Sequence, residues 1–160
     1  MNTIRIKNFG NVYLELEAAG TITPGMLIEE TSAGKVQAHS SVSGNVLPMF
    51  ALEDELQGGG IDDDYGINTI DDEEYGDQVS CTIAQRGDEI YAILDDTQVI
   101  TKGDFLESAG NGYLQKHTPK DMSAVYGTED DNVYVNPVVG VALESVTTTS
   151  KVARIKVRIL

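Results

Sequence analysis

The chain matches itself at an offset of 78 residues, and this constrains the fold more than any other feature of the sequence. Thr23-Pro24-Gly25-Met26-Leu27-Ile28-Glu29 aligns with Thr101-Lys102-Gly103-Asp104-Phe105-Leu106-Glu107. The register continues without a gap through Gly34/Gly112, Val36/Leu114, Gln37/Gln115 and His39/His117. Upstream, Tyr13 meets Tyr91, Leu16 meets Leu94 and Ile22 meets Ile100. A longer connection in the second copy shifts the offset to 91 for Ala51-Leu52-Glu53 against Ala142-Leu143-Glu144. Small, apolar and polar types coincide along with the identities, so the pattern reads as one structural unit used twice. Two copies are too few for a solenoid, and the expectation is one pseudo-symmetric domain spanning residues 1–160, with units at about 11–85 and 89–160.

Each unit reads as strands. Phe105 to Leu114 is the clearest hairpin, because Asn111-Gly112 supplies the positive φ angles that a tight turn needs; the first copy uses Ser32-Ala33-Gly34 there. Thr-x-Gly before each hairpin is a turn signal that places Gly25 and Gly103 in a conformation unfavourable to residues with a Cβ. Helical periodicity is weak, with single-turn candidates at Glu53-Asp54-Glu55-Leu56 and Asp62-Asp63-Asp64-Tyr65. The expected class is mainly β, a barrel- or sandwich-like single domain, since many short strands must close or cover their edges.

The two chain ends match each other as well. Ile4-Arg5-Ile6-Lys7 and Ala153-Arg154-Ile155-Lys156-Val157-Arg158-Ile159 alternate apolar with basic residues, the pattern of half-buried strands with cations outside. Terminal strands at 3–7 and 153–160 are expected in one sheet. Six of the 11 basic residues lie in or beside these segments, whereas residues 53–77 hold 11 acids and no base. The candidate contact surface is therefore a cationic strip of Arg5, Lys7, Arg154, Lys156 and Arg158 on an acidic body.

Charge excludes some partners. The net charge of −15 repels phosphate backbones, which argues against nucleic acid. No apolar run approaches the ~18 residues of a membrane span, and Met1-Asn2-Thr3-Ile4-Arg5 lacks a signal-peptide core, so the expectation is a soluble protein made in a cytoplasm. Cys81 is the sole cysteine; Val79, Cys81 and Ile83 alternate with polar residues as an inward strand face, which makes it a buried, inert thiol.

Site chemistry is sparse. Asp62, Asp64 and Glu73 fit the first, third and twelfth positions of a calcium loop, but Gly66 and Ile67 break the pattern where a ligand and a glycine are required, which leaves a solvated acidic loop. His39 and His117 occupy equivalent positions, yet two histidines do not make a zinc site, and a strand-end histidine with a local hydrogen bond is the simpler reading. With 26 acids, no particular carboxylate pair is informative for acid–base catalysis. G-x-S-x-G, P-loop, G-x-G-x-x-G and H-E-x-x-H patterns are absent, and Gly58-Gly59-Gly60 lacks the strand-to-helix context of a phosphate cradle. Tyr-Gly at 65–66, 75–76 and 126–127 marks turns or loop contacts. The expectation is no enzyme, no cofactor and no metal.

Several segments resemble a known family. Ala51-Leu52-Glu53-Asp54-Glu55-Leu56-Gln57-Gly58, Gly60 to Tyr65, Tyr75 to Val79, Arg86-Gly87-Asp88-Glu89-Ile90-Tyr91-Ala92 and Lys102 to Gly112 are similar to the capsid decoration, or cement, proteins encoded beside the major capsid gene of tailed bacteriophages. The resemblance covers residues 46–116 closely, and the insert at 67–74 departs from it. It implies a structural protein on the outer surface of the virion capsid, bound to the major capsid protein as a homotrimer at three-fold and quasi-three-fold positions, where contacts act together. A tail- or head-associated adhesin or carbohydrate-binding β module is the alternative; it needs an aromatic platform, and the chain has no Trp and three Phe. A hydrolase resting on abundant carboxylates comes third.

Overall fold

The structure, a computed structural model, describes residues 4–7, 12–53, 78–119, 137–150 and 152–160. Among them run β1 (Arg5–Lys7), β2 (Tyr13–Glu17), β3 (Leu27–Glu30), β4 (Val36–Ala38), β5 (Met49–Ala51), β6 (Gln78–Ile83) and β7 (Glu89–Leu94). There follow β8 (Val99–Ile100), β9 (Phe105–Gly110), β10 (Tyr113–Lys116), β11 (Gly140–Ala142), β12 (Val146–Thr147) and β13 (Ala153–Ile159), with no helix among the described residues. The fold is all-β. The single-turn helix candidates, the calcium-loop residues, Gly58–Gly60, the insert at 67–74 and the three Tyr-Gly pairs lie outside the described residues, Glu53 excepted.

A first sheet has the order β2-β6-β5-β3-β4, and a parallel bridge between Ala18 and Val36 brings its two ends together. The second has the order β1-β7-β10-β9-β11-β13, and β7 also pairs with β13, so its last five strands close on themselves. Closure leaves fewer unpaired edge groups, which suits strands this short. β1 is antiparallel to β7 at Glu89 and Ile90, while β13 pairs with β7 from Ala153 to Arg158, so both terminal strands flank β7. β8 and β12 form a two-stranded ribbon.

The ladders of the two sheets correspond pair by pair. Ile28↔Ala38 and Glu29↔Gln37 on β3–β4 answer Leu106↔Lys116 and Glu107↔Gln115 on β9–β10, each 78 residues on. Leu27↔Phe50 answers Phe105↔Val141, with the β5 to β11 step at 91. Ala51↔Cys81 answers Ala142↔Val157, and Leu14↔Cys81 answers Ile90↔Val157, which sets β2 to β7 and β6 to β13 at 76. Tyr13 therefore stands where Glu89 stands, and the expected matches of Tyr13 with Tyr91 and of Leu16 with Leu94 are two residues out of register. A slip of two keeps every side chain on its own face of a strand, so hydrophobic pattern alone cannot detect it.

Two apolar clusters fill the interior, and each borrows from the other sheet. Ile28, Val36, Met49, Ala51, Val79 and Cys81 pack with Ile93 of β7 and Tyr113 of β10. Ile90, Leu94, Leu106, Leu114, Ile155 and Val157 pack with Leu27 and Phe50 of the first sheet. Burying a side chain of this size contributes roughly 1.5–3 kcal/mol, so this exchange welds the sheets together.

Candidate functional site

The expected cationic strip is shorter than five residues. On β13, Ile155, Val157 and Ile159 are buried while Lys156 and Arg158 are exposed. Arg154 continues the outward alternation but is only 5% exposed, because this end of β13 runs beneath the first sheet: a Cβ at Gly25 would overlap Arg154 Nη1. The guanidinium lies over the Tyr91 ring, 6.0 Å from its centroid, and its three nitrogens find no hydrogen-bond partner among the described residues. Burial pushes its pKa down, while the charges of Tyr91 and Glu53 pull it back up. Period-two alternation fixes which side a residue faces and carries no information on what lies over that side.

The remaining strip is mixed. Arg158 donates from Nη2 to Glu89 Oε1 on β7 at 2.7 Å, the self-pairing that an acid-rich surface favours. Lys156 is exposed, and its backbone N–H donates to Glu144 at 2.9 Å. The backbone of β1 places Arg5 opposite Ile90 and Lys7 opposite Glu89; their side chains lie outside the described residues.

A polar junction that the sequence did not single out holds the sheets together. His39 is 2% exposed; its Nε2–H donates to Asn45 C=O at 3.1 Å, which leaves Nδ1 to accept from Ser108 Oγ at 2.8 Å when the ring is neutral. Ser43 N–H donates to Ser108 C=O at 2.9 Å, and Ser43 Oγ donates to Glu107 Oε1 at 2.7 Å. Glu107 also accepts from Gln115 Nε2 at 3.0 Å and from His117 Nδ1 at 2.6 Å. Burial pushes the Glu107 carboxyl up, but hydrogen bonds from Ser43, His117 and Gln115 and the charge of His117 outweigh it and hold the group below its ordinary value. Glu29 repeats the pattern with Gln37, Ser40 and His39, and it too is lowered against the opposing effect of burial. The one signal for this was the recurrence of Glu, Gln and His at 29, 37, 39 and 107, 115, 117.

Ser108, His39 and Glu29 are the types of a nucleophile, base and orienting acid, with Glu29 Oε2 3.7 Å from His39 Nε2. Ser108 has no exposed surface and also accepts from Gly110 N–H at 3.2 Å, so a carbonyl has no route to its Oγ. Cys81 is buried, its Sγ donates to Val79 C=O at 3.2 Å, and burial pushes its thiol up to about 12, far from the thiolate that nucleophilic chemistry requires. Among the described residues no three His, Cys, Asp or Glu side chains come together as metal ligands, and no helix is long and apolar enough to cross a membrane.

Compared with known protein families the chain matches none, and no curated protein matches it.

Proposed function

We propose that this chain is a capsid decoration, or cement, protein: a non-enzymatic homotrimer that binds the major capsid protein on the outside of an assembled bacteriophage head. The observation that carries the reading is the pairing of exposed cations, Lys156 and Arg158, with the exposed ring of Phe105 on the outer side of one sheet, in a chain of net charge −15. Arg158, Val141 and Phe105 stand opposite one another across β13, β11 and β9, which makes one surface of them. An apolar centre with a charged margin is the anatomy of a docking surface, and the cations relieve the repulsion between two copies of so acidic a chain, which supports the trimer on which this reading rests. Two of the segments that carry the resemblance, 86–92 and 102–112, supply the start of β7 and β9 with the turn that follows it in this same sheet.

A protein that binds only the assembled lattice stabilises it by mass action. The test mixes the purified protein with empty expanded heads of the phage that encodes it and sediments the mixture. Saturable co-sedimentation, together with rupture of protein-free heads at lower temperature, is expected. Protein left in the supernatant, or equal rupture thresholds with and without it, removes the cement role.

A further inference from the structure

The two sheets have the same ladder pairings, but one face is covered in the first and open in the second. Thr23, Gly25, Leu27, Phe50 and Thr82 are buried, Leu27 and Phe50 completely. Their counterparts are Thr101, Gly103, Phe105, Val141 and Arg158, of which Val141 is half-buried, the others are exposed, and Phe105 reaches 50%. The second sheet itself covers the first face. Ile93 N–H donates to Gly25 C=O at 3.1 Å, and Arg154 packs on Gly25. Gly112, at the tip of the β9–β10 hairpin, accepts from Leu27 N–H at 2.8 Å and donates to His39 C=O at 3.1 Å, bridging the end of the β3–β4 ladder.

The same ladder end recurs in the second sheet. His117 N–H donates to Phe105 C=O at 2.8 Å, as His39 N–H does to Leu27 C=O at 2.9 Å. Among the described residues nothing bridges Phe105 N–H and His117 C=O. The covering surface has a free counterpart too. Ser32, Ala33 and Gly34 at the β3–β4 tip are exposed, and a Cβ at Gly34 would have nothing within 4 Å, whereas one at Gly112 would meet Met26 and Ala38. Charge agrees with a match between the two free surfaces. Arg158 is exposed on the open face and Lys102 on the turn before Phe105, although Glu89 already pairs with Arg158, and Glu15 and Glu30 stand on the strands beside the free tip, where Glu17 already pairs with Lys35.

We infer that the open face around Phe105 is the docking site for the β3–β4 hairpin end of a second copy of this chain, a head-to-tail contact that repeats between chains the packing joining the two sheets within one. Such a contact uses two different surfaces and either closes into a ring or runs on as a filament. It supplies the self-association surface of the proposed trimer, in which three chains give a ring of six sheets, and it does not depend on capsid binding. Phe105 and Val141 form its apolar centre and the paired charges its rim.

The test exploits a contact inside the chain. A Cβ at Gly110 would lie 3.3 Å from Ser40 C=O; the counterparts of Gly110 and Ser40 are Ser32 and Thr118, both exposed. Chains carrying Ser32→Cys and chains carrying Thr118→Cys are mixed and oxidised, with Cys81 silent because it is buried. A disulfide-linked pair in the mixture and none with either variant alone is expected, and Phe105→Asp should shift the sedimenting species to monomer with unchanged melting. Linked pairs from one variant alone, a concentration-independent monomer, or a Phe105→Asp oligomer that sediments like wild type each overturn the inference. Head co-sedimentation run in parallel separates the two readings, since linkage without head binding removes the cement role and leaves this contact standing.

Discussion

His39 Nδ1 lies 2.8 Å from Ser108 Oγ, a contact between residues 69 apart that ties the end of β4 to the middle of β9. Ser108 Oγ also accepts from Gly110 N–H, so Ser108→Ala leaves a buried imidazole nitrogen and a buried amide without a partner. Each such group costs about 1–3 kcal/mol. Urea unfolding of Ser108→Ala should show a loss of about 2–6 kcal/mol for the two groups together, and a midpoint equal to wild type would mean that the junction contributes nothing.

Acid should weaken the same junction. The Glu107 carboxyl is held below its ordinary value, despite burial, by Ser43, His117 and Gln115. A carboxyl whose folded pKa is depressed contributes stability above its unfolded pKa of about 4.3, and that contribution is lost as pH falls through the folded value. Glu107→Gln removes the titration. Between pH 6 and pH 3 (roughly the window on either side of an unfolded carboxyl pKa) the wild-type denaturation midpoint should fall further than that of Glu107→Gln. Parallel curves would assign the acid sensitivity to other carboxylates.

Gly25 and Gly103 separate conformation from packing. Both have positive φ, +91° and +97°. A Cβ at Gly103 meets nothing within 4 Å, while one at Gly25 would overlap Arg154 Nη1 and lie 2.9 Å from Tyr91 C=O. Gly103→Ala should therefore cost only the left-handed strain, about 1–2 kcal/mol, and Gly25→Ala distinctly more. Equal losses in thermal melts would contradict the tight packing of Arg154 on Gly25.

Much of this architecture was legible because it is local or periodic. Asn111-Gly112 announced its turn, and both residues take positive φ, 53° and 75°. Alternation placed Val79 and Cys81 inside β6, and 0% exposure agrees. What the sequence could not carry was the packing of one sheet on another. Arg154 and Arg158 are spelled alike, yet only the second is exposed, because the residue that covers Arg154 is Gly25, 129 positions away. Nor could alternation separate Phe105 from Leu27, which hold equivalent places in their ladders and differ in whether another sheet lies over them.

Cys81 offers a direct probe of opening. Its thiol is buried and pushed up to about 12, so a thiol reagent should label native protein only as fast as the first sheet opens. Labelling in native buffer should be slow and should accelerate through the urea transition. Immediate stoichiometric labelling would place the thiol at the surface.

The two arginines of β13 allow docking and folding to be told apart. Arg154 is buried without a hydrogen-bond partner among the described residues, so its charge is a burden that packing over Tyr91 and the field of Glu53 only partly offset. Replacing a buried charge by an apolar side chain of similar length is often neutral, so Arg154→Met should stay within about 1 kcal/mol of wild type. Arg154→Glu sets a carboxylate against Glu53 in the same site and should lose about 3–5 kcal/mol. Lys156 and Arg158 are exposed, and reversing both should leave the melt nearly unchanged while loosening the trimer and, through the lost joint action of its contacts, weakening head binding and flattening its salt dependence. Undiminished head binding by Lys156→Glu/Arg158→Glu would assign these cations to self-pairing of the kind that Arg158 makes with Glu89. A stable Arg154→Glu would show instead that β13 reaches the surface along its whole length.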